Sequence, residues 1–179
     1  MARIQYANRE TIPEGRADLF DRLVAERGPN PENIFLALAN APDLAEAVLG
    51  MATALRKRTA LPKVFRELAV VTVGLETGAT YELEHHRNAA LAAGIRREQL
   101  EHLREFETGD CFTEQERAVI RLAKETTVSG RVQDTTWNAV GFLGDRQRLE
   151  LVLTVAWYNC VARIILPLQI EIEPWFIRQ

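Results

Sequence analysis

The stretch Pro62-Lys63-Val64-Phe65-Arg66-Glu67-Leu68-Ala69-Val70-Val71-Thr72-Val73-Gly74-Leu75 decides how this chain folds. Its second half is rich in β-branched residues, which by propensity alone suit a strand. The spacing argues against that. Phe65, Leu68, Thr72 and Leu75 recur at intervals of three and four, which fits a period of 3.6 better than a period of two. Pro62 suits the opening turn of a helix, and Gly78 interrupts the pattern after it. The segment is therefore predicted to be a helix.

Working outward, the same punctuation recurs. Thr11 and Glu14 match a capping box with Pro13 between them, ahead of Leu19, Phe20, Leu23 and Val24 at helical spacing; Gly28-Pro29 ends that segment. A short helix is expected over 32–39. Pro42 opens another, with Leu44, Val48, Leu49, Met51, Ala52 and Leu55 on its apolar side and Arg56-Lys57-Arg58 at its solvated end. Downstream of Gly78, helices are expected over 80–93, stopped by Gly94, and over 97–106. A second capping box, Thr113 and Glu116, opens a helix to about Thr126, and Ser129-Gly130 turns the chain. Asp134 and Asp145 are expected to cap two more, the last ending before Pro167. No strand, linker or repeat emerges. The reading is one all-α domain over 1–179, with 1–31 as an N-terminal helical extension and 170–179 as a tail whose Trp175 and Phe176 pack on their own domain or on another subunit.

Composition narrows the function. With 47% hydrophobic and 26% charged residues the chain is globular rather than disordered, and a net charge of −3 gives no reason to expect a nucleic-acid partner. The most apolar stretch, 149–168, contains Glu150, Asn159 and Arg163, so it reads as a buried helix and not a membrane span. Met1 to Glu10 has no apolar run resembling a signal peptide. Cys111 and Cys160 are isolated, which suits a reducing compartment, and a cytoplasmic protein is expected.

Glu82 and His86 lie four apart on a predicted helix and share one face, with Tyr81 beside them. Glu67 sits on the preceding helix, and the turn at Gly78 lets the two helices fold back together. An acid, an imidazole and a phenol could so converge for proton transfer. Spacing by itself favours a surface ion pair over a site. Other candidates weigh less. Cys111 near the Thr113 cap has no histidine close in sequence, Cys160 reads as core, and His102 with Glu98 reads as surface. His85 and His86 diverge by about 100° around a helix, so no metal site is expected from them. Trp137 and Trp157 read as core or interface.

The run 66–74 quoted above, then Tyr81-Glu82-Leu83-Glu84-His85-His86, Ala89-Ala90 and Ala93-Gly94-Ile95, resembles the carboxymuconolactone decarboxylase / alkylhydroperoxidase D-like family. Tyr158-Asn159-Cys160-Val161-Ala162-Arg163 is similar to that family's closing helix, and the resemblance covers roughly residues 32–172. It implies an alkylhydroperoxidase D-like helical bundle and a homo-oligomer, trimer or hexamer. In the alkylhydroperoxidase D branch the glutamate and histidine of the site match Glu67 and His86, the two cysteines fall on Ala79 and Glu82, and a proton-relay position falls on Tyr81. Without those thiols the disulfide-based peroxidase cycle has no nucleophile there. The decarboxylase branch has glutamate where this chain has Glu82. The resemblance thus implies a cofactor-independent acid–base enzyme acting on a small unsaturated carboxylate or lactone, with Glu67, Glu82, His86 and Tyr81 as catalytic residues. The alternatives are a peroxidase-like antioxidant protein and a non-catalytic oligomeric binding protein.

Overall fold

A computed structural model describes residues 1–179. It is built of nine α-helices without a strand: α1 (Ala17–Arg27), α2 (Asn33–Leu38), α3 (Pro42–Lys57), α4 (Lys63–Thr77), α5 (Thr80–Ala92), α6 (Arg97–Glu101), α7 (Glu114–Ser129), α8 (Asp134–Ala139) and α9 (Asp145–Leu168), with short 3-10 turns at Leu103–Glu105 and Val140–Phe142. The all-α expectation therefore holds. The chain gathers into two compact units, Met1–Thr59 with Ile165–Ile177, and Ala60–Ile164 with Arg178–Gln179.

In the first unit α3 packs against α1 and α2. The opening residues are tied to the segment after α9: Arg3 N–H donates to Leu168 O at 2.9 Å, and Glu171 N–H to the Tyr6 hydroxyl at 2.9 Å. Asn33 holds the same segment, its N–H on the buried Glu173 carboxylate at 2.7 Å and its Nδ2 on Glu171 O at 2.8 Å. Farther along, Trp175 and Ile177 are exposed.

The expected capping box at Thr11 and Glu14 does not form, and α1 starts only at Ala17. Asn8 wins the competition for those backbone groups. Its Oδ1 accepts from the N–H of Glu10 and of Thr11 at 2.8 and 3.0 Å, while Thr11 Oγ1 accepts from Asn8 N–H at 2.9 Å. A self-satisfied turn results in place of a helix start.

The second unit carries the core. Residues 67–74 of α4 are all buried, with α5 on one side and α7 on another. Burial on all sides explains why a β-branched run stays helical: packing overrides a propensity difference worth tenths of a kcal/mol per residue. Thr72 and Thr77 satisfy their hydroxyls within the helix, on Leu68 O and Val73 O at 2.7 Å each. Leu151, Val155 and Tyr158 of α9 complete this core. The start of α4 is pinned by Glu150, whose Oε2 accepts from the N–H of Ala60 and Leu61 at 2.8 Å each.

Several details of helix ends differ from expectation; Asp134, expected as a cap, is the first residue of α8, after Gln133. The predicted 97–106 helix tightens into a 3-10 turn after Glu101. The Thr113 box forms as expected, and α7 runs on to Ser129 before Gly130 turns left-handed at φ 70°. Pro167 lies within the last turn of α9 rather than beyond it; a proline there forfeits only one helical bond at an end. By length and composition α9 could cross a membrane, with 24 residues and a hydropathy of 1.7. Its polar residues are nevertheless engaged within the fold, Glu150 as above and Asn159 Nδ2 on Thr127 Oγ1 at 2.9 Å.

Candidate active site

The site depends on how closely α4 and α5 approach. Gly78 adopts φ 70° at the end of α4, and α5 begins two residues later. The helices then cross at Gly74. A Cβ there would lie 3.2 Å from both the Cα and the N of Leu83, tighter than ordinary van der Waals contact. Only glycine permits this spacing without displacement. The hairpin brings residue 67 on one helix opposite residue 86 on the other.

There the carboxylate of Glu67 is nearly enclosed, and both its oxygens are used. Oε2 lies 2.8 Å from His86 Nδ1. Oε1 accepts from Arg66 Nε at 3.0 Å and lies 2.9 Å from Nη2. Burial pushes the Glu67 carboxyl up and is the largest single influence. The partners His86 and Arg66 together outweigh it and hold the carboxyl below its ordinary range. An ionised Glu67 can only accept, so it requires a proton on His86 Nδ1. That leaves Nε2 as the nitrogen whose protonation can change, and it faces Glu82 Oε2 at 3.5 Å. The imidazole is thus bracketed by two carboxylates from different helices. Its ring meets that of Tyr158 edge-on, with centroids 4.7 Å apart.

Glu67, Glu82 and His86 therefore converge. Tyr81 is buried, one position round the helix from Glu82, and its ring lies 4.6 Å from that of His85. Two residues of the cluster had escaped sequence reasoning. For Arg66, an arginine beside a glutamate in an otherwise apolar run is the signal that marks it. Tyr158 falls on the buried stripe Leu151, Val155, Tyr158 of α9, so helical periodicity could have pointed it inward; its neighbour across the bundle could not be read that way.

The remaining candidates lie elsewhere. Cys160 is exposed on α9, two residues and so about 200° round the helix from buried Tyr158; the expectation that it packs in the core is wrong. Cys111 is half-buried in the loop before α7. Ala79, at one of the family's cysteine positions, is fully buried. His102 is exposed, as expected. Trp157 packs against the core, but Trp137 is 39% exposed, with the Arg148 guanidinium 5.6 Å from its ring. His, Cys, Asp and Glu side chains nowhere gather in threes around a possible metal position.

Residues 42–125 match the model of the carboxymuconolactone decarboxylase family. No curated protein matches the chain. Among solved structures, the debrominase Bmp8 in complex with 2,3,4-tribromopyrrole is similar with a TM-score of 0.79 at 19% identity, over 97% of this chain and 93% of that one. An uncharacterized peroxidase-related protein from Ralstonia eutropha, described as an alkylhydroperoxidase AhpD core, gives a TM-score of 0.82 at 18% identity, over 97% and 93% of the two chains. A peroxidase-related protein from a Silicibacter species gives 0.78 at 17%, over 96% and 91%. At such identities the likeness speaks for the fold. The segment similar to the carboxymuconolactone decarboxylase family thus contains Glu67, Glu82 and His86, and the chain as a whole has an alkylhydroperoxidase D-like fold.

Proposed function

We propose that the protein is a cofactor-independent acid–base enzyme acting on a small unsaturated carboxylate or lactone, with His86 as the proton carrier. The observation that supports this most directly is the 2.8 Å contact between Glu67 and His86 Nδ1, which leaves Nε2 as the exchanging nitrogen. Glu82 stands beside Nε2, so one proton can be shared between carboxylate and imidazole. In a decarboxylation the bond from the ring carbon to the departing carboxylate breaks. Its electron pair moves into the conjugated carbonyl, CO2 leaves, and one proton returns to carbon from His86 Nε2. Glu67 keeps the imidazole oriented throughout. Tyr158, edge-on to His86, is better placed to face such a substrate than Tyr81, whose ring lies against His85.

A thiol cycle fits less well, because Cys160 sits on the outer side of α9 and the positions of the family's cysteine pair hold Ala79 and Glu82. The test is a panel of small unsaturated lactones, unsaturated acids and planar heteroaromatics, assayed for turnover. Cys111→Ala/Cys160→Ala should retain activity, and His86→Gln should lose it by about 10²- to 10⁴-fold. Peroxide reduction that vanishes in the cysteine variant would overturn this reading in favour of an antioxidant protein. Ligand binding without turnover would mark a binding protein.

The proposal extends to assembly and location. The outer stripe of α9 (Leu149, Leu153, Ala156 and Cys160) is exposed and lacks charge, which suits burial between copies in a homo-oligomer, trimer or hexamer. Sedimentation at micromolar concentration should give a species larger than the 20.3 kDa chain; a monomer would refute it. Two free cysteines suit the cytoplasm.

A further inference from the structure

We propose that Arg66 is a positioning residue for the proton carrier: it turns Glu67 so that one oxygen is reserved for His86, and its positive charge offsets part of that carboxylate's pull on the imidazole proton. This rests on the reading of His86 as the group that exchanges a proton.

The argument begins with geometry. A carboxylate has two oxygens, and an arginine that meets it head-on uses both. Here Arg66 Nε and Nη2 both lie against Oε1, at 3.0 and 2.9 Å, and Oε2 is left for Nδ1 of His86 at 2.8 Å. The Glu67 and Arg66 side chains are only 5% and 12% exposed, so solvent does little to screen the pair. Among the groups facing His86 are Glu67, with Arg66 behind it, on α4; Glu82 on its own helix; and Tyr158 on α9. Two carboxylates against one imidazole both favour its protonated form. Arg66 is the cation that counters this. Direct attachment to the imidazole would not serve, since like charges repel; acting through Glu67 gives the offset and the orientation together.

The test is an NMR titration of His86, which needs no substrate. Arg66→Gln keeps a donor for Glu67 and removes the charge, so the His86 midpoint should rise by about one pH unit. Arg66→Lys keeps the charge, so its midpoint should stay within about 0.3 unit of wild type, with the fork geometry lost. A Gln variant that folds and leaves the midpoint unmoved overturns the proposal. A residue that merely packs would move neither midpoint. Should the Gln variant not fold, the wild-type protein still decides: the Arg66 Nε–H resonance must shift as His86 titrates, and a resonance that does not respond overturns the coupling. If the midpoints behave as stated and no substrate is ever turned over, Arg66 keeps this role and the proposed enzymatic function fails. Turnover with an unmoved midpoint sinks Arg66 alone.

Discussion

Arg121 grips Glu107 with Nε on Oε1 at 2.7 Å and Nη2 on Oε2 at 2.5 Å, whereas Arg66 places both nitrogens on one oxygen of Glu67. The two pairs contain the same groups and differ in surroundings. The Arg121 and Glu107 side chains are 32% and 48% exposed; those of Arg66 and Glu67 are 12% and 5%. Both glutamates are held below their ordinary range, for different reasons. At Glu107 the hydrogen bond from Arg121 is the leading cause and outweighs a modest burial effect. At Glu67 the leading influence is burial, which acts the other way, and two partners are needed to overcome it. A surface pair is complete in itself and can be replaced by water. The buried pair has an oxygen left over, and that oxygen reaches His86.

The contrast can be broken most forcefully at Glu67. Glu67→Ala removes the anion shared by the half-buried Arg66 and His86 and should cost about 2–4 kcal/mol in denaturant unfolding. Its pH signature follows from the lowered carboxyl. The stability that Glu67 contributes is present above the unfolded-state value, about 4.3, and is lost as pH falls through the lower folded value. Wild-type stability should therefore fall steeply in acid, and Glu67→Gln should flatten that limb. An unchanged limb would mean the carboxylate is not held as described.

Gly74→Ala probes the spacing that creates the cluster. Alanine gains about 1 kcal/mol in helix propensity, while crowding against the Leu83 backbone costs about 1–3 kcal/mol. A net loss of about 1 kcal/mol is expected, together with a weakened Glu67–His86 contact visible in the His86 titration. A stabilised variant with an unmoved titration would show that the hairpin has slack. At the small end, Glu107→Ala should cost no more than about 1 kcal/mol, less in high salt. A loss approaching that of Glu67→Ala would erase the distinction between the two pairs.

Much of this was legible in the chain. Local chemistry settles in local geometry, so the Thr113–Glu116 box, the Gly78 and Gly94 stops and the helical reading of a β-branched run at 70–73 all appear where the residues imply. The motif also pointed to Glu67, Glu82 and His86, because a four-residue spacing puts two of them on one face and a turn brings the third within reach. Where local rules compete, the sequence was misread: Asn8 and Thr11 satisfy each other's backbone and pre-empt a helix cap. What only the tertiary structure decided are the relations between elements. Periodicity says that Tyr158 faces inward, but not that it meets the edge of His86. It marks α9 as apolar, but not that Leu149 and Cys160 lie on its outer side. Nor can it say that Arg66 takes one oxygen of Glu67 and leaves the other to His86. Spacing along the chain carries direction around one helix axis, while contact depends on how closely two axes approach, and here that was set by a single glycine at position 74.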